Sequence, residues 1–178
     1  MPDWLNPSLV IEGLQTFFAN GGWVLVPIAV VTFLMWTFIV ERFSYYFYAH
    51  KPFVRRLKAE WDSRPDKKSW RAHAIRDELI SEVKVRTEQN VSIIKTMVAV
   101  APLLGLLGTV TGMIHVFDIM ALTGNSSARL MAGGVFQATI PTMAGMVSAL
   151  SGLIFSSPLD SMSKRETARF ADSLIVGE

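Results

Sequence analysis

The chain contains no cysteine, which excludes disulfides and thiolate metal sites and leaves no mark of a redox compartment. Charge is scarce: Asp, Glu, Lys and Arg make up 18% of 178 residues, against about a quarter in an ordinary soluble domain. Histidines number three, with no H-E-x-x-H pair, no Ser-His-Asp order and no phosphate loop, so neither catalysis nor a metal or other cofactor is expected. "GLLGTVTG" has glycines but not the spacing of G-x-x-x-x-G-K-[ST]. No basic n-region opens the chain and no A-x-A-like site follows its first apolar run, so no cleaved signal is expected.

The missing charge is concentrated in three gaps. None occurs between Glu12 and Glu41, between Lys95 and Asp118, or between Arg129 and Asp160, and His115 is the only titratable side chain in the second gap. Each gap exceeds the roughly 20 residues that cross a bilayer as a helix. The sequence therefore predicts an all-α integral membrane protein with three transmembrane helices at 22–40, 96–117 and 134–156.

Positive charge is as unevenly placed. No Lys or Arg precedes the first span, segment 41–95 holds thirteen, the 118–133 connection holds only Arg129, and the tail from 157 holds three. Positive residues collect on the cytoplasmic side, which predicts N-out/C-in with 118–133 as a periplasmic loop and 41–95 and 157–178 inside. Residues 1–21 read as a short helix at the outer interface, with Val10, Leu14, Phe17 and Phe18 on one face.

Glu41 and Arg42 close the first span as an interfacial anchor, and Phe43, Tyr45, Tyr46, Phe47 and Tyr48 supply an aromatic belt. From Ser69 no proline or glycine occurs until Pro102, which predicts one long helix rising from the cytoplasm into the second span. Ile75, Leu79 and Val83 give that helix an apolar line, and the 157–178 helix finds a partner either there or on a neighbouring subunit. Acids are interleaved with the bases throughout 41–95, unlike the single-sign stripe of a nucleic-acid surface, so no nucleic-acid partner is expected.

Small residues mark the second and third spans. Gly105, Thr109 and Gly112 fall within about 60° of one helix face, with Gly108 beside them, and Ala138, Thr142, Gly145 and Ala149 repeat the arrangement. Such stripes let membrane helices approach closely, and two in one three-span chain predict more contact than a lone subunit uses, hence a homo-oligomer. Thr109 and Thr142 stand near mid-membrane, where they either bond their own backbone or line a narrow polar passage. No Asp, Glu or Lys accompanies them, so a titrating group on such a passage must come from another chain. His115, Asp118 and Gln137 are candidates for its rim, and Pro141 and Pro102 are expected to loosen or kink the third and second spans.

"APLLGLLGTVTGMIHVF" and "ATIPTMAGMVSALSGL", with Glu41-Arg42 after the first span, resemble the ExbB/TolQ/MotA proton-channel family over most of 22–157. They most resemble ExbB-type proteins of TonB-dependent energy transduction. "TVTGMIHVFDIMA" and "NSSARLMAGGV" are similar to the compact branch accompanied by a larger, TtpC-type relative. The resemblance implies a homopentameric channel in the bacterial inner membrane, enclosing single-span ExbD-type helices. Each helix would carry an Asp near Thr109 and Thr142, and proton flow would exert force on a TonB-type protein. Many members carry Glu where Gln137 stands here, so the partner's Asp would titrate alone. The extra spans of MotA-type members are absent, which speaks against a flagellar stator. A TolQ-like envelope-maintenance motor and a passive scaffold clustering partner proteins remain as alternatives.

Overall fold

The computed structural model describes residues 7–67, 69–124 and 128–174, with side-chain detail for most of them. Its helices are α1 (Pro7–Gly21), α2 (Leu25–Ser44), α3 (His50–Asp62), α4 (Trp70–Glu88), α5 (Val91–Thr123) and α6 (Ala128–Ser173), with a π-helical turn at Tyr45–Ala49 between α2 and α3. No strand occurs among the described residues. Three helical runs, Leu25–Asp62, Trp70–Thr123 and Met131–Ser173, are long and apolar enough to cross a membrane. The chain is thus an all-α, multi-pass membrane protein. It divides into two compact units, Met1–Met35 with Thr96–Gly152, and Trp36–Lys95 with Leu153–Glu178.

The first unit holds most of each apolar span. Gly22, at φ 67°, turns the chain between α1 and α2, where the left-handed conformation costs glycine nothing. Val24, Leu25 and Ile28 then bury against Leu104 of α5 and Ile140 and Ala144 of α6. Much apolar surface stays uncovered: Phe33, Leu103, Val147 and Leu150 are each more than 60% exposed. A monomer in water would not tolerate such a surface, whereas lipid or further subunits cover it. Phe17 and Phe18 of α1 are exposed and meet edge to face, while the side chains of Val10 and Leu14 lie outside the described residues.

The second unit is a charged helical cluster with its own core. Leu57 and Trp61 of α3, Ala72, Leu79 and Val83 of α4, and Phe170 and Leu174 of α6 bury together, with Ile75 partly covered. The tail's apolar side is therefore satisfied within the chain. Ser69 caps α4 by accepting from Ala72 N at 3.2 Å, and Asp66 Oδ1 accepts from Ser69 N at 3.1 Å. Arg76 caps the other end of the cluster, donating to the Ala171 and Leu174 carbonyls at 3.0 and 3.3 Å.

Several expected boundaries move. The single helix from Ser69 into the second span is two helices, because Gln89 leaves helical geometry and Asn90 adopts φ 62°. Asn tolerates that left-handed state better than most side chains, and Asn90 Nδ2 donates to Glu41 Oε2 at 3.2 Å. The separate tail helix is instead the end of one 46-residue helix that runs unbroken through Pro141 and Pro158. Pro102 likewise interrupts nothing in α5. The 118–133 connection shortens, since α5 extends to Thr123 and α6 starts at Ala128; residues 125–127 lie outside the described residues.

Candidate functional site

The small-residue stripes meet each other inside the chain. A Cβ on Gly105 would stand 2.9 Å from Thr142 Cα and 3.0 Å from Pro141 O, and one on Gly145 would stand 2.5 Å from Ala101 O. One on Gly112 would reach 2.7 Å from Ala138 Cβ, and one on Gly108 would collide with the Pro141 ring. These glycines therefore let α5 and α6 approach to backbone contact. Ala138 and Ala149 are buried as well. The stripes are consumed by this packing, so they do not themselves require a second copy, contrary to the expectation from the sequence.

Thr142 sits in the middle of the seam and is half-buried. Its Oγ1 donates to the Gly105 carbonyl at 2.9 Å, a bond between helices rather than back along its own. Thr109 behaves differently. Its Oγ1 donates to the Leu106 carbonyl of its own helix at 2.7 Å, and the residue faces a shallow apolar groove with Val110, Met113, Ile114 and Phe117. Thr109 is thus at the edge of the seam, not at its centre. Both hydroxyl hydrogens are engaged by carbonyls, so both oxygens are left to accept.

A second polar contact, not singled out in the sequence, links α2 to α6. Thr32 Oγ1 lies 2.5 Å from Ser148 Oγ and also donates to the Ile28 carbonyl at 2.7 Å. Ser148 follows Gly145 by three residues, on the same face, which is the signal that marks it.

The candidate rim residues separate. His115 and Gln137 line one cavity of about 410 Å³ in the span unit, while Asp118 is exposed and does not line it. Neither His115 nor Gln137 bonds a described residue. Among the described residues no three His, Asp or Glu side chains form a group that would hold a metal ion.

Glu41 and Arg42 do not end a helix; α2 continues past them. Arg42 is 2% exposed and donates to the Arg86 carbonyl at 2.9 Å and to Glu41 at 3.1 Å, with its guanidinium 5.1 Å from the Tyr45 ring centre. The expected interfacial anchor is therefore a buried cap on the last turn of α4, where a cation meets the negative end of the helix. Of the aromatic belt, Tyr46 is buried with its hydroxyl 3.3 Å from Thr87 O, whereas Phe47 and Tyr48 are exposed. Asp160 accepts from Lys95 at 2.7 Å and Lys164 at 2.9 Å. These bonds hold its carboxyl below the ordinary carboxylate range.

A profile of the MotA/TolQ/ExbB proton channel family matches residues 49–172. Two curated proteins of Synechocystis sp. are similar over shorter stretches. "Putative biopolymer transport protein ExbB-like 1" is 38% identical over 89 residues, covering 48% of this chain and 35% of its own. "Putative biopolymer transport protein ExbB-like 3" is 34% identical over 79 residues, covering 43% of this chain and 38% of its own. The chain thus aligns with little more than a third of the length of either relative. With 124 consecutive positions inside the profile, including the whole α5–α6 seam, the chain belongs to the MotA/TolQ/ExbB proton channel family.

Proposed function

We propose that the chain is the channel-forming subunit of a proton-driven motor in a bacterial inner membrane. It would sit N-out/C-in, assemble as a homopentamer, and enclose an ExbD-type single-span partner. Proton flow past that partner would energise a TonB-type protein for transport across the outer membrane, with the compact TtpC-associated branch as the closest functional setting. The observation that carries the reading is Thr142: a half-buried hydroxyl at the glycine seam, in a span that lacks any carboxylate of its own. Both threonine oxygens offer acceptors to a carboxylic acid brought by another chain. Gln137 supplies no charge, so titration falls to the partner. One charge crossing 100 mV releases about 2.3 kcal/mol, and several protons per stroke would supply ordinary conformational work.

A scaffold that merely clusters partners is favoured by one observation, that Thr142 already has a packing partner in Gly105. The two readings divide on a single experiment. The chain is co-expressed with a single-span, Asp-bearing protein from a neighbouring reading frame, purified and weighed intact, then reconstituted under a proton gradient. The motor reading expects five copies around a smaller partner, and proton flux only when both are present. Flux-free complexes indifferent to the gradient would establish the scaffold instead. A partner that couples to envelope maintenance rather than receptor-mediated uptake would place the chain with the TolQ-like motors.

A further inference from the structure

His50 opens α3 at the end of the π-helical turn and is 5% exposed. Its backbone N–H donates to the Tyr45 carbonyl five residues back, and the widened turn sets two tyrosines beside its ring. The ring centres of Tyr45 and Tyr46 stand 6.1 and 5.6 Å from that of His50. From α6, Glu166 Oε2 lies 3.3 Å from His50 Nε2, while Glu166 Oε1 accepts from Arg169 at 2.8 Å. All of these residues belong to the second unit.

The contact with Glu166 fixes the ring hydrogen. A carboxylate only accepts, so Nε2 carries the hydrogen and the neutral imidazole keeps a bare lone pair on Nδ1. That Nδ1 is buried with no hydrogen-bond partner among the described residues, and the same holds for Tyr45 Oη. Buried polar atoms rarely stay unpaired. Charge around the ring is mixed. Arg42 of α2 is buried and bonded to Glu41 and the Arg86 carbonyl of α4, and the Arg86 guanidinium lies 4.5 Å from the Phe53 ring centre on α3. Arg169 of α6 is bonded to Glu166, and Lys51 of α3 and Arg165 of α6 are exposed. Of these groups Glu166, the negative one, bonds the imidazole.

We propose that His50 and Glu166 form a proton-binding latch between the helical run Leu25–Asp62 and α6. Its ligand is a solvent proton on the charged side of the spans, which is the cytoplasm in the orientation proposed above. Hydronium gives one proton to the Nδ1 lone pair and leaves as water; no bond between residues breaks, and imidazolium faces carboxylate. The long 3.3 Å contact then becomes a charge-assisted bond, typically about 2.7–2.9 Å. The new Nδ1–H is assigned to Tyr45 Oη, an oxygen with no bond of its own. Nδ1 is shut away from solvent, so the proton enters only when the two helices part briefly. The latch therefore holds loosely at high pH and tightly at low pH, over the range of about pH 5 to 8 in which imidazole changes charge. The same two helical runs include the first and third spans, so internal acidification bears on both. No proton passes onward from this site; it is a sensor rather than a conduit.

The test uses the full chain in detergent with its three histidines isotopically labelled, since ring-nitrogen NMR shifts report both tautomer and charge. His73→Gln and His115→Gln, both at exposed positions, assign the His50 signal by elimination. His50 should show the Nε2–H tautomer at about pH 8 and become imidazolium by about pH 5. In Glu166→Gln its protonation midpoint should fall by about one pH unit or more. In thermal unfolding, wild type should gain on His50→Gln as the pH falls over the same range, and the gain should vanish in the Glu166→Gln background. A neutral His50 at about pH 5, the opposite tautomer, an unmoved midpoint in Glu166→Gln, or a pH-independent gap would each overturn the latch. The wild-type titration needs neither the His50 nor the Glu166 variant, so it stays decisive if either misfolds. No partner, gradient or flux enters the measurement. A complex that conducts no protons would refute the channel reading alone, and a His50 that never charges in a conducting complex would refute the latch alone.

Discussion

Thr142 Oγ1 reaches across the seam to the Gly105 carbonyl at 2.9 Å, at the point where a Cβ on Gly105 would meet Thr142 Cα at 2.9 Å. Hydrogen bond and close approach are one arrangement, since only a glycine lets the hydroxyl come so near. Thr142→Val keeps the shape and removes the donor. It should cost about 0.6–1.7 kcal/mol of stability, the range for polar contacts between membrane helices. Proton flux should fall sharply with the assembly preserved, and Thr142→Ser should recover it. Full flux in the Val variant would leave the hydroxyl a packing device only, read by native mass together with reconstituted flux.

Gly105→Ala and Gly145→Ala press a methyl group against backbone rather than against a side chain that can swing away. Each should destabilise by about 1–3 kcal/mol, the usual cost of overpacking. Gly133→Ala, in the same class of helix but with nothing within 4 Å of the added carbon, should be neutral or slightly stabilising. Thermal unfolding in detergent distinguishes them.

Asn90 stands at φ 62° between α4 and α5. Asn90→Gly should be tolerated within a few tenths of a kcal/mol apart from the lost bond to Glu41. Asn90→Val should cost about 1–2 kcal/mol or more, because a β-branched side chain resists that geometry. Equal stability of the Gly and Val variants would show that the break is not anchored at this residue.

Asp160 lies beyond the 134–156 span and is held in its charged form chiefly by hydrogen bonds from Lys95 and Lys164. Its folded pKa is lowered, so its contribution to stability is fully present above the ordinary carboxylate value and is lost as pH falls through the folded one. The stability gap between wild type and Asp160→Asn should be constant from pH 7 to about 5 and close progressively below about 4. A gap independent of pH would remove the ion pair as its cause.

The spans, the class and the small-residue faces were legible because each rests on a local pattern: charge-free length for the helices, spacing for Gly105, Gly112, Ala138 and Gly145. The partner of each stripe was not legible, since periodicity marks a face without saying what meets it. Gly105 and Thr142 are 37 residues apart, and only the fold brings them together. Arg42 misled for a related reason: a cation just past an apolar run usually faces headgroups, but here the Arg86 carbonyl is within reach. Asn90 carried a readable hint, being the residue type after glycine most at ease with positive φ, in a stretch otherwise free of breakers. The cavity had no signature in the sequence, because its lining is drawn from the α1–α2 joint, α5 and α6.

The π-helical turn at Tyr45–Ala49 makes the α2–α3 rod one residue richer than its winding needs. A surplus of this kind can be withdrawn at little expense. Deleting Phe47 or Tyr48, both exposed, would return the segment to α winding and leave Leu57 and Trp61 on their present bearing toward α4 and α6. The same deletion inside α3 would swing every later side chain by about 100° and carry Lys58 and Asp62 toward the core. The rod thus has a single place where its length can change without altering its handedness of approach, and the aromatics occupy it.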